Sequence, residues 1–102
     1  MSAISYTVIA TFPDAALADE YVAWLEDGHV DAVIEGGAHS AMIVRLTEPA
    51  EPVQVETRYA FRSRADFDRY VAHTAPALRE DGLRKFGPGR GVRMERRIGS
   101  VV

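Results

Sequence analysis

At 102 residues the chain has the size of one domain, and a composition 47% apolar and 26% charged is that of a globular protein rather than a disordered one. A net charge of −3 with no basic stripe argues against nucleic-acid binding, and zero cysteines exclude disulfides, thiolate metal sites, Fe–S clusters and cysteine nucleophiles. Met1 to Thr7 lack a basic n-region, and no apolar run is long enough to span a bilayer, so a cytoplasmic protein without membrane contact is expected.

The elements follow in chain order. Ile4 to Phe12 is rich in β-branched and aromatic residues and predicts a strand. Pro13 ends it, and Asp14 is a suitable N-cap for a helix to about Glu26, with Leu17, Tyr21, Trp24 and Leu25 at helical spacing. Gly28 breaks that helix, a short one follows from about His29 to Glu35, and Gly36 and Gly37 stop it. His39 to Thr47 predicts a second strand and Thr47 to Pro52 a turn. Val53 to Arg62 alternates with period two and predicts a third strand with one buried face. Ser63 with Asp66 resembles a capping box opening a helix that turns Phe67, Tyr70 and Val71 inward. Pro76 to Phe86 predicts a further helical segment, closed by Gly87 and Pro88, and Gly91 to Ile98 the last strand. Arg90, Arg93, Arg96 and Arg97, interrupted by Gly91 and Glu95, belong to the charged sides of that strand.

This βαββαβ order is the split βαβ arrangement of an α+β, ferredoxin-like fold: a four-stranded antiparallel sheet with its helices on one face, in one domain spanning residues 1–102. A short internal echo supports it. Asp19-Glu20-Tyr21-Val22-Ala23-Trp24 parallels Asp68-Arg69-Tyr70-Val71-Ala72-His73, which puts Trp24 and His73 at equivalent points of the two halves.

Alternation predicts that Tyr6, Val8, Ala10 and Phe12 face the helices, with Met42, Val44 and Leu46, then Val55, Thr57, Tyr59 and Phe61, and Val92, Met94 and Ile98. The opposite face then carries Thr7, Ile9 and Thr11, with His39, Ala41, Ile43 and Arg45, then Gln54, Glu56, Arg58, Arg93, Glu95 and Arg97. That face is either solvated or the self-complementary surface of a homodimer, with Glu56 and Glu95 placed to meet arginines across a two-fold axis.

Four stretches carry a resemblance: Tyr21-Val22-Ala23-Trp24-Leu25 with Gly28-His29-Val30, then Thr57-Arg58-Tyr59, then His73-Thr74-Ala75-Pro76-Ala77-Leu78-Arg79, and Arg84-Lys85-Phe86-Gly87. Together they resemble the small bacterial DUF4286 proteins of the dimeric α/β-barrel superfamily. The resemblance implies a ferredoxin-like monomer whose sheet packs on a partner's sheet, closing a barrel with helices outside. It supplies no single function. The wider superfamily includes cofactor-free monooxygenases, haem-degrading enzymes, cyclases and isomerases, many with a small aromatic or hydrophobic ligand between helices and sheet.

Within that layer His73 is the first candidate for proton transfer, since imidazole titrates near neutral pH and His73 follows Tyr70 by three on a helix facing the sheet. A hydrogen-bonded histidine anchoring the chain before Pro76 is the other role that suits it. His29 either lines the same pocket or serves as a polar helix start, and Tyr59 is placed to assist. Trp24, Tyr6, Tyr21 and Tyr70 are candidate ligand-binding residues, because a crowd of aromatic polar tips in one layer suits a planar ligand as well as a plain core. The histidine spacings offer no metal motif and no Walker, Rossmann or nucleophile-elbow signature is present, so neither metal nor cofactor is expected, haem binding being the weaker alternative. Gly87-Pro-Gly-Arg-Gly91 precedes a strand rather than a helix and predicts a mobile turn beside the pocket rather than a phosphate loop. The function these residues suggest is a homodimeric small-molecule-binding protein, acting on an apolar or aromatic substrate by cofactor-independent monooxygenase, isomerase or cyclase chemistry. The alternative is a non-catalytic dimeric binding or accessory protein.

Overall fold

Ile4–Phe12 forms strand β1 in the interior of the sheet, where its even-numbered side chains meet helices and its odd-numbered ones do not. The computed structural model describes residues 2–102. Strands β2 (Ser40–Arg45), β3 (Val53–Phe61) and β4 (Arg93–Ser100) complete a four-stranded antiparallel sheet in the order β2-β3-β1-β4. The α+β ferredoxin-like reading of the sequence therefore holds.

Local chemistry sets each helix. In α1 (Ala15–Trp24) the Leu17 amide donates to Asp14 Oδ1 at 2.8 Å, the N-cap bond that satisfies one of the helix's free donors. The chain then widens into a π-type turn, Leu25–His29, and bends at Gly28 before α2 (Val30–Glu35). Gly28 has φ of 105°, a left-handed conformation that a Cβ would strain, so the break read from the sequence is a glycine requirement. Ser63 Oγ accepts from the Asp66 amide at 3.1 Å to start α3 (Arg64–His73), and α4 (Ala75–Lys85) begins with Pro76 in its first turn. Among the described residues no helix is long and apolar enough to cross a membrane.

All of this packs on one side of the sheet in two clusters. Tyr6, Tyr59, Phe61, Phe67 and Tyr70 form one with Val33 and Ala75, and Phe12, Leu17, Tyr21, Leu25, Val55 and Phe86 form the other. The echo between the halves holds for Tyr21 and Tyr70, both buried, but not for Trp24 and His73: the first is half-buried and the second exposed.

The structure corrects the orientation of β2. Ala41 stands opposite Tyr59 and Ile43 opposite Thr57, so these residues share the helix side, while Met42 lies opposite Arg58 and is 58% exposed. Met42 and Val44 therefore belong to the open face, and Ala41 and Ile43 pack against the two core clusters. The strand has apolar side chains in both phases, so alternation alone does not choose, and a one-residue difference in phase reverses every side chain. Pairing with the strictly alternating β3 decides it. The β4 residue Arg96, opposite Val8, also falls on the helix side.

Phe61 is fully buried and touches Phe67 and Tyr70 at ring-centroid distances of 5.2 Å each. Phe61→Ala is expected to cost about 3–5 kcal/mol in stability, measured by urea denaturation, because the cavity lies where two rings lose a partner.

Candidate functional site

The two core clusters do not meet tightly. Between α1, α2, α3 and α4 on one side and β1, β3 and β4 on the other, they leave a cleft with about 450 Å³ free of atoms, part of it open to solvent. Only about 40 Å³ admits the centre of a water-sized molecule, room for about three waters at 10–15 Å³ each. The space is thus tight, and its aromatic walls suit a flat ligand better than a globular one.

One wall is a histidine stacked on the tryptophan. The bend at Gly28 returns the chain so that the His29 ring lies over Trp24, centroids 4.1 Å apart and planes 27° apart. Tyr21 and Phe86 hold Trp24 from behind at 5.7 and 5.3 Å. Burial lowers the His29 pKa from its usual 6.5; the Asp81 carboxylate acts against that and the Lys85 ammonium adds to it. His29 is therefore neutral at physiological pH, with an imidazole nitrogen able to accept a proton.

The floor is a layer of tyrosines. Tyr6 and Tyr59 stand opposite each other on β1 and β3, stacked at 5.8 Å, and Tyr70 of α3 leans on Tyr6 at 6.0 Å. Burial pushes the Tyr21 and Tyr70 hydroxyls up to about 12, with nearby arginines opposing it, and drives Tyr59 higher still. These three phenols stay protonated at neutral pH and can donate hydrogen bonds.

Of the residues singled out from the sequence, His29, Tyr59, Trp24, Tyr6, Tyr21 and Tyr70 line this one cleft. His73 does not: it is exposed at the last residue of α3, outside the cleft. The inward stripe of α3 runs from Phe67 and Tyr70 to Thr74 and Ala75, where the chain turns into α4, so the position three after Tyr70 falls on the outer side. The expectation that the pocket reaches His73 is corrected accordingly. The Gly87–Gly91 segment also differs from a loose turn. It forms a 3-10 turn whose Arg90 donates to Glu20 Oε2 at 3.1 Å and to the Lys85 carbonyl at 2.8 Å.

Two charged residues of the cleft were not among those expected. Arg96 reaches in from β4 and donates from Nε to the Tyr6 hydroxyl at 3.1 Å, and Arg79 reaches in from α4. Both had a signal in the sequence. Arg96 shares the phase of Met94 and Ile98, and Arg79 lies on the stripe of Leu78, Gly82 and Leu83.

The lowered His29 pKa predicts a pH effect of definite sign. Between 6.5 and the lower folded value the unfolded chain binds a proton that the folded one does not, so stability falls as pH drops through that window. An NMR titration of the His29 ring should give a midpoint below 6.5; a midpoint at or above it would show that the ring is not held dry against Trp24.

Comparison with known proteins adds the following. The fold is similar to that of a dimeric ferredoxin-like protein from an uncultured marine organism, with TM-score 0.77 at 15% identity, covering 100% of this chain and 97% of that one. It is similar to the monooxygenase of ActVA-Orf6 from Streptomyces coelicolor, crystallised with nanaomycin D, with TM-score 0.76 at 16% identity, covering 99% and 88%. It is also similar to SnoaB, a cofactor-independent oxygenase from Streptomyces nogalater, with TM-score 0.70 at 12% identity, covering 100% and 95%. At these identities the likeness is one of fold. No curated protein matches the sequence. The family model of a domain of unknown function, DUF4286, matches residues 4–95, and the chain belongs to that family.

Proposed function

We propose that the protein is a homodimer that binds a small planar, largely apolar molecule in each helix–sheet cleft and moves a proton on it without a cofactor. The observation that carries this reading is the neutral His29 stacked on Trp24 above a floor of protonated tyrosines. Isomerase, cyclase and cofactor-free oxygenase chemistries share a first step, removal of an acidic C–H proton to leave an enolate. His29 is the base in that step, Tyr59 and its neighbours donate to the developing oxyanion, and Trp24 stacks on the ring. The likeness in fold to a cofactor-independent oxygenase and a ligand-bound monooxygenase supports a cleft of this kind. Its place of work on this reading is the cytoplasm, where a chain without cysteines needs no oxidising environment.

A second reading, binding without catalysis, is favoured by the narrowness of the slot. The two separate on a carbon acid that fits. With 2-tetralone, a bicyclic ketone carrying an acidic C–H between ring and carbonyl, the protein should accelerate deuterium incorporation, and His29→Asn should reduce that acceleration by about 10²–10⁴. Because the base must be neutral, the rate should rise with pH through a midpoint below 6.5. Equal exchange with both proteins would remove His29 from the role and leave the binding reading.

The homodimer rests on the open face of the sheet. Ile9, Val44, Met42 and Ala60 share it with the ion pairs Glu56–Arg58 and Glu95–Arg97, a mixed surface with no helix over it. Packing against its two-fold copy covers the apolar residues and brings acids toward arginines. Sedimentation equilibrium should give twice the chain mass, and Ile9→Arg should shift it to one chain with the circular dichroism unchanged. A variant that remains dimeric would place the interface elsewhere.

A further inference from the structure

The cleft is apolar and aromatic, yet two guanidinium groups enter it. Arg79 and Arg96 both line it, from opposite walls. Neither forms an ion pair with any carboxylate among the described residues; Arg62 and Arg93 form none either, but those two do not line the cleft, and the other seven arginines are all paired. Arg79 Nε is buried with no hydrogen-bond acceptor. Arg96 Nε spends its hydrogen on the Tyr6 hydroxyl, a neutral oxygen. Both charges are felt inside the cleft, where they oppose the upward shift of the Tyr70 hydroxyl; Arg96 does the same at Tyr21.

A buried guanidinium N–H without an acceptor is costly, and such groups are normally paired. Here the surroundings offer no partner of opposite charge. The lining's other polar side chains are the phenols of Tyr6, Tyr21, Tyr59 and Tyr70, the Trp24 indole and the neutral His29 imidazole, none of them charged, and the rest is aliphatic. The slot therefore combines a flat aromatic lining with an excess of donors and of positive charge. Its complement is a flat apolar molecule that ends in negatively charged oxygen.

Building on the cleft proposed above, we infer that its ligand is an aromatic or fused-ring anion, a carboxylate or an ionised phenol or enol, whose charged oxygen is held between Arg79 and Arg96. The ring lies against Trp24 and His29, and the charged oxygen reaches toward the two guanidinium groups. Arginine cannot lose its proton in this range, so the pair supplies charge and hydrogen bonds and takes no proton itself. The selectivity that follows is electrostatic: a neutral isostere of the same shape leaves the buried Nε of Arg79 without an acceptor and offers no charge to either arginine, so it binds more weakly.

The probes are 2-naphthoate and its neutral isostere 2-naphthamide, at one pH and one salt concentration. Trp24 is the only tryptophan, so its indole N–H signal in a ¹⁵N–¹H spectrum reports occupancy of this cleft and no other site. Naphthoate should bind about tenfold or more tightly than naphthamide, and Arg79→Gln and Arg96→Gln should each erase most of that preference while leaving naphthamide affinity within about twofold. Arg93→Gln, on the open face of the sheet, should change neither. The comparison of the two probes on the unsubstituted protein stands even if one variant fails to fold. Equal binding of both probes overturns the anion inference and leaves the planar-ligand cleft intact. Binding of neither probe at Trp24 overturns both, and a preference for naphthoate that survives both glutamine substitutions overturns the assignment to this arginine pair.

Discussion

The pairing of β1 with β3 in the register that sets Tyr6 opposite Tyr59 is the constraint on which the site depends. Opposite residues in an antiparallel pair present their side chains to the same face, so one register brings two phenol rings into contact beneath the helices. The same strand pairs on its other edge with β4, placing Ile98 beside Tyr6 and Arg96 beside Val8. Arg96 is thereby within reach of the Tyr6 hydroxyl, and the cation enters the cleft through backbone pairing alone. A slip of one residue in β1 would send Tyr6 to the open face and leave Arg96 without its oxygen.

The helical wall is set by glycine. Gly28 takes the left-handed turn that carries His29 back over Trp24, and Gly82 leaves room for the indole: a Cβ there would stand 3.4 Å from Trp24 Cη2. Glycine appears on both sides of the one tryptophan for different reasons, conformational freedom at the first and volume at the second. Gly36 serves a third need, because a Cβ would stand 2.6 Å from Thr74 Cγ2 where α2 passes the junction of α3 and α4. That close approach fixes α4 over the sheet, and α4 is the element that carries Arg79 into the cleft.

How far the sequence was legible follows from how each signal is encoded. Strand order, caps and the alternation of β1 and β3 are local, and they lead directly to the ferredoxin-like fold; with the helical stripes they also pick out six residues that line one cleft. β2 fails because Ala41 and Ile43 compete with Met42 and Val44; only its neighbour breaks the tie. His73 fails because the regular stripe Phe67, Tyr70 and Val71 continues to Thr74, which leaves His73 off that face at the end of α3. The two arginines were overlooked for another reason. Their phase was readable, but charge on an apolar stripe is ordinarily a solvated end, and only the buried, unpaired Nε of Arg79 shows otherwise.

Those arginines also bear on which group can exchange a proton. Of the cleft groups whose titration the fold shifts, the three tyrosines move up to about 12 or beyond, out of the physiological range. His29 moves down from 6.5 and stays within reach of it. The guanidinium groups hold their protons throughout. Burial therefore divides the labour: it fixes the phenols as donors and leaves His29 as the shifted group able to take a proton at neutral pH. An anionic product bound beside two arginines would be stabilised as its charge forms, while the base stays uncharged until the proton arrives. The same desolvation that makes His29 a weaker base strengthens the field of the partly buried Arg79, and the two effects act in opposite directions on the first half of a proton transfer. The balance favours transfer only to the extent that the charge develops on oxygen near Arg79 and Arg96 rather than on carbon near His29, so the orientation of the ligand along the slot decides whether the cleft catalyses or merely binds.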